Sequence, residues 1–224
     1  MNLSKIFASV QSKALAIAIG ISLLVVASPA SAHHPMGGKI PSNFFEGFLS
    51  GLAHPVIGLD HLAFVVAVGL FAALKPQGIL MPIFFVLSAM LGTGIHLSGV
   101  TLPVVELIVS ASILLFGILM ALKNSPNVLM MVGLSIVAGL FHGYAYGEAI
   151  FGAQTTALVA YLAGFTVIQL VISSAAFFVG KKVLDGDFAQ AAPNLRSAGL
   201  VICGIGAAFL ASNIAALILP APKG

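Results

Sequence analysis

Charge is what this chain has least of. Of its 224 residues only 7% are Asp, Glu, Lys or Arg, while 60% are hydrophobic. A soluble domain covers itself with about a quarter charged residues, so a soluble fold is excluded. No window is polar enough to build a large soluble domain beside a membrane part. Cysteine is nearly absent: the single Cys203 can form no intrachain disulfide, and its place inside an apolar run marks it as a small packing residue. Basic patches are missing too. The net charge of +3 falls to +1 when Lys5 and Lys13 are set aside with the N-terminal segment, leaving seven basic against six acidic residues. Nucleic acid is therefore excluded as a partner. No nucleotide-binding loop, no His-Glu-x-x-His and no nucleophile elbow occur, so the chain does not hydrolyse ATP.

What is there is apolar sequence in runs far too long for alternating barrel strands, which makes the expected fold all-α and membrane-spanning. Residues 1–32 read as a secretory signal. Lys5 and Lys13 give a positive start, 14–27 a short apolar stretch, and Ala30-Ser31-Ala32 a small-x-small cleavage site after Pro29. An uncleaved anchor is the competing reading, and both place His33-His34-Pro35 outside. Residues 33–224 are expected to form one domain of six spans, at about 56–74, 78–98, 102–122, 127–146, 153–180 and 197–219. Residues 43–53 add a short apolar helix, too short to cross, that lies at the outer surface or dips part way. The longest connection is 181–196. Inner loops then hold Lys75, Lys123, Lys181, Lys182 and Arg196, against Lys39 and Lys223 outside. That bias agrees with a signal peptide and puts both termini outside.

One phrase is written twice. Residues 51–60 read Gly-Leu-Ala-His-Pro-Val-Ile-Gly-Leu-Asp and residues 139–148 read Gly-Leu-Phe-His-Gly-Tyr-Ala-Tyr-Gly-Glu. Each is Gly-Leu-x-His, five residues, then a carboxylate: His54 with Asp60, and His142 with Glu148. His61 follows Asp60 directly. On the expected topology His54, Asp60, His61, His96, Glu106, His142 and Glu148 all fall in one outer layer. Ionisable groups are costly inside a membrane and mark function there. Imidazoles mixed with carboxylates suit a divalent transition-metal ion, whereas a copper(I) path would want Cys or Met. Asp60 beside His61 also reads as a carboxylate steadying an imidazole. His96 and Glu106 are weaker members of the set. His33 and His34 at the mature terminus could chelate nickel or copper, or simply form a polar cap.

Spacing constrains the site. On a straight helix His54 and His61 would share a face about 10 Å apart, and His54 and Asp60 would point about 120° away from each other. Either two stations follow one another, or the helix is broken. Pro55 and Gly58 favour a break in the first phrase, as Gly143 and Gly147 do in the second. Both phrases are therefore expected to bend, folding His and carboxylate towards one ion, as broken helices do in transporters. The spacings Gly47-x3-Gly51 and Gly143-x3-Gly147 also permit close helix approach. Met90, Met130 and Met131 read as core or lipid-facing residues, and Gln169 and Asn213 as interhelical hydrogen-bonding amides.

The phrase from His54 to His61, followed by Phe141-His142-Gly143-Tyr144-Ala145-Tyr146-Gly147-Glu148, resembles the HupE/UreJ family of hydrogenase and urease accessory membrane proteins. The resemblance covers essentially the whole chain. It implies a multi-pass protein of the bacterial cytoplasmic membrane, a secondary transporter importing Ni²⁺ or Co²⁺ as substrate, with no permanently bound cofactor. It maps the functional residues onto His54, Asp60, His61, His142 and Glu148. Entry would be driven by the ion gradient and the membrane potential, about 2.3 kcal/mol per charge per 100 mV. Two other readings of the same residues are an intramembrane zinc-dependent hydrolase and a haem-binding electron-transfer subunit. The hydrolase would show stoichiometric zinc, the haem protein a visible absorption spectrum.

Overall fold

The computed structural model describes residues 39–124, 126–185 and 188–219, the side chains of 188–192 excepted. The expected signal segment, His33, His34 and the C-terminal residues 220–224 lie outside the described residues. Those described form seven helices and no strand: α1 Phe44–Ile57, α2 Leu59–Ala73, α3 Leu80–Leu97, α4 Val105–Ala121, α5 Val128–Glu148, α6 Thr155–Leu184 and α7 Phe188–Ile218. α3, α5, α6 and the Pro193–Ile218 part of α7 are each long and apolar enough to cross a bilayer. α1 and α2 pass the same test only as a pair, bent by 78° at the break between them, the geometry of a broken span or of a re-entrant loop. α4 is apolar but has 17 residues. The chain is thus a multi-pass membrane protein.

Helix starts follow local chemistry. The Asn43 side chain caps α1 by accepting the Glu46 N–H at 2.9 Å, and the Glu46 carboxylate in turn accepts the Ser42 N–H at 2.8 Å. Asn127 caps α5 through the Met130 N–H at 2.8 Å.

The structure refines two expectations about the spans. The segment expected over 43–53 is longer, and its packing along α6 fits the expected dip into the bundle better than a place at the surface. Gly47 lies against Ala157, Gly51 against Tyr161, and Gly164 of α6 against Phe48. Small residues let these backbones touch. Farther along, Gly69 of α2 lies against Ser173 and Gly180 of α6 against Ala73. Both limbs of the bent pair therefore share α6. The expected first span of 56–74 takes in the end of α1, Gly58 and the whole of α2. The expected connection 181–196 is also mostly helix. Lys181 and Lys182 sit in the last turn of α6, and Arg196 already lies within α7.

Two further pairs pack in the same way. Gly139 and Gly143 of α5 meet Phe85 and Ala89 of α3, while Gly117 of α4 meets Cys203 of α7. α2 runs between the pairs and is buried over most of its surface, with Phe64, Val65, Val68 and Phe71 at 0% exposure, while Leu59, Leu62, Val66 and Leu70 line an apolar groove against α7. Phe64 packs on Phe85 at 5.2 Å and on Phe116 at 4.8 Å between ring centroids. These rings floor the space in which the histidines lie. Below them an apolar cluster continues through Met81, Met120 and Met131. Met90 and Met130 are exposed on the lipid-facing side.

Candidate metal-ion site

The first phrase does bend. α1 carries Pro55 in its last turn and ends at Ile57, and α2 begins at Leu59. Gly58 between them is extended, with φ −71° and ψ 97°. Its N–H still donates to the His54 carbonyl at 3.0 Å and its carbonyl accepts from Leu62 at 2.8 Å, so the chain pivots on one residue. Nothing in that φ demands glycine. The demand is steric: a Cβ at Gly58 would lie 2.8 Å from His61 Cδ2 and 3.2 Å from Asp60 Oδ1. Asp60 stands in the first turn of α2, and its Oδ1 accepts the His61 N–H at 2.8 Å. A carboxylate is favourable at that end of a helix. The pivot brings the rings of His54 and His61 to 5.7 Å between centroids, nearly edge to face.

The second phrase does not bend. α5 is continuous from Val128 to Glu148, and Gly143 and Gly147 serve instead for close approach to Ala89 and His96 of α3. The six-residue interval therefore separates His142 from Glu148 by about 9 Å of rise and about 120°. His142 points into the bundle and is fully buried, while Glu148 is exposed. The two phrases are not equivalent half-sites.

His142 joins the first phrase instead. Its Nδ1 lies 2.9 Å from His61 Nδ1, and its Nε2 lies 3.0 Å from Ser112 Oγ on α4. Its ring rests on Phe64 at 4.4 Å and Phe85 at 5.9 Å. Two tyrosines close the group. Tyr146 packs on His61 at 4.4 Å and on His54 at 5.0 Å. The Tyr161 hydroxyl lies 2.9 Å from His54 Nδ1 and donates to the Tyr146 carbonyl at 2.9 Å. His54, His61 and His142 are all at 0% exposure and Asp60 at 5%.

The remaining expected residues form a second group nearer the end of the bundle. His96, Glu106 and Glu148 line an open cavity of about 490 Å³ together with Tyr144 and Asn213. The His96 ring stands edge-on to Tyr144 at 4.6 Å. The Tyr144 hydroxyl donates to the Val100 carbonyl at 2.9 Å and accepts the Leu102 N–H at 3.2 Å, tying down the α3–α4 connection. Asn213 Nδ2 of α7 donates to the Glu106 carbonyl at 3.1 Å, the interhelical role expected of it. Gln169 departs from its expected role: its Nε2 bonds the Phe165 carbonyl of its own helix at 3.1 Å.

Seven expected polar residues thus divide into a buried node and an outer cavity. Among the described residues no three or more His, Cys, Asp or Glu converge closely enough to hold one ion. Each of the three imidazoles is held by a hydrogen bond at Nδ1. The sequence reading missed Ser112, Tyr146 and Tyr161 as members of it. One signal was available: the chain has three tyrosines, and Tyr144, Tyr146 and Tyr161 all pack on histidines.

Residues 21–209 match the family model described as HupE / UreJ protein. The chain is also 30% identical over 159 residues to Protein HupE of Rhizobium leguminosarum bv. viciae, a match covering 69% of this chain and 78% of that one. No solved structure matches the chain.

Proposed function

The chain belongs to the HupE/UreJ family, and on that premise we propose that it imports Ni²⁺, or Co²⁺, across the bacterial cytoplasmic membrane through the two histidine and carboxylate groups. Members of the family are permease-type accessory proteins of hydrogenases and ureases, with a role in nickel and cobalt transport, and are not enzymes. That sets aside the zinc hydrolase. Counting α1 with α2 as one span and α4 as another gives the six spans of the proposed topology, with both termini outside.

The observation that carries the proposal is the buried node. Three fully buried imidazoles and Asp60 gather at the 78° break between α1 and α2, and helix breaks are how transporters expose polar atoms at depth. In this reading Glu106, Glu148 and His96 collect the cation in the outer cavity and replace part of its water. The buried node of His54, Asp60, His61 and His142 takes it next. The ring layer of Phe64, Phe85 and Phe116 must part before the ion moves farther. Neutral imidazole and carboxylate suit Ni²⁺ and Co²⁺ alike, and both ions remain candidates.

The test is ⁶³Ni uptake in nickel-limited cells, competed with Co²⁺, Zn²⁺ and Cu²⁺, for the native chain and for His54→Ala, Asp60→Asn, His61→Ala and His142→Ala. Uptake should fall to background in all four variants while each still reaches the membrane. Undiminished uptake in all four refutes the proposal.

A further inference from the structure

The buried hydrogen bonds leave little freedom in where the imidazole protons sit. A neutral imidazole has one N–H donor and one acceptor nitrogen, and a hydroxyl has a single hydrogen to give. At His54 the decisive group is the Tyr146 carbonyl. It lies in the last turn of α5, where carbonyls lose their intrahelical donors. The Ile150 N–H that would serve it bonds Gly147 O at 3.2 Å instead. The Tyr161 hydroxyl takes that place, donating to Tyr146 O at 2.9 Å. Its hydrogen is then spent, so the 2.9 Å contact with His54 Nδ1 requires the imidazole to donate.

At α4 the two distances decide where the serine hydrogen lies. Ser112 Oγ donates to its own helix at Val109 O, 2.6 Å away, closer than the 3.0 Å to His142 Nε2. His142 Nε2 must therefore donate to Ser112, which leaves His142 Nδ1 as an acceptor. The 2.9 Å contact between the two Nδ1 atoms then needs its proton from His61.

We infer that Tyr161 and Ser112 are positioning residues that fix the tautomers of the three buried histidines. His54 and His61 each carry the proton on Nδ1 and present Nε2 as the ligand nitrogen. His142 carries its proton on Nε2 and braces His61. Hydrogen-bonding a ligand histidine through its other nitrogen fixes its ring and tautomer and typically strengthens metal binding about 10–100-fold. The arrangement also makes His142, for all its place in the repeated phrase, a support and not a ligand so long as its bond to His61 stands. The ligand assignment rests on the transport reading above; the tautomers do not.

The two claims are separated by ¹⁵N NMR of the full chain in lipid nanodiscs without added metal, with ring signals assigned through single His→Gln variants. The expected result is Nδ1–H for His54 and His61 and Nε2–H for His142. Tyr161→Phe should release the His54 tautomer alone. Ser112→Ala should release His142 and His61 together, and Ser112→Thr should restore them. Ni²⁺ titrations should show about 10–100-fold weaker binding in Tyr161→Phe and Ser112→Ala. An Nε2–H signal for His54 or His61 in the native chain overturns the inference, as do tautomers indifferent to both variants. If the tautomers are as assigned but the native chain takes up no nickel, the transport reading alone fails.

Discussion

His61 and His142 face each other nitrogen to nitrogen, Nδ1 to Nδ1 at 2.9 Å, across the boundary between α2 and α5. The contact joins the two histidine phrases, and it binds histidine to histidine with no carboxylate between. Removing either ring leaves a buried nitrogen without its partner, a cost of about 1–3 kcal/mol. His61→Ala and His142→Ala should each lower thermal stability in detergent. The double variant should lose less than the two single losses combined, because residues in contact are not additive. Additive losses would show that the bond is not formed in the membrane.

Gly58→Ala leaves every candidate ligand in place but sets a methyl group 2.8 Å from the His61 ring. That is closer than carbon atoms pack, so the ring must shift. Nickel uptake should drop severalfold with no fall in membrane abundance. Gly94→Ala on α3 is the control, since nothing lies within 4 Å of its added methyl. It should transport normally and be as stable or slightly more so.

Glu106→Gln and Glu148→Gln remove charge from the outer cavity and leave the node untouched. They should raise the KM for nickel uptake with little change in maximal rate, whereas His54→Ala should abolish the rate itself. Added salt should weaken uptake by the native chain more than by the double Gln variant, because charges at an open cavity are screened. An equal salt response in both would remove the cavity from the route.

Val104, which precedes α4 at the cavity rim, has φ 52° and ψ 33°. A β-branched residue pays about 1–2 kcal/mol in that left-handed region. Val104→Gly should raise the melting temperature, as read by a thermal-shift assay. A lower value would mean that packing of the valine outweighs its strain.

How much of this could be read in the sequence depended on how local the cause was. Long apolar runs place α3, α4, α5 and α6 within a few residues, because hydropathy is a property of the segment itself. The break at Gly58 was legible for the same reason: Pro55 and Gly58 stand within four residues of each other. The second bend was expected from Gly143 and Gly147 on equal local grounds, yet those glycines lie in a straight helix against α3. A glycine that permits a bend and one that permits contact look alike until the neighbouring helix is known. Ser112, Tyr146 and Tyr161 were missed for a related reason. In an apolar helix a lone hydroxyl or phenol reads as packing, and only the fold shows that three such groups, from α4, α5 and α6, end at the same histidines. The depth of the node was hidden as well, because it follows from α1 packing along α6 more than a hundred residues away.

The break at Gly58 has an electrical consequence. It ends one helix and starts another inside the bundle, so the partly negative terminus of α1 and the partly positive terminus of α2 meet there, each equivalent to roughly half an elementary charge. Asp60 sits on the positive terminus, where its charge is largely offset, and His54 lies in the last turn of α1, at the negative one. On the proposed route a divalent cation would be met by fractional charge from the backbone and by one carboxylate. Such a site can strip an ion of part of its water and still let go of it, which a cage of several full charges would not do.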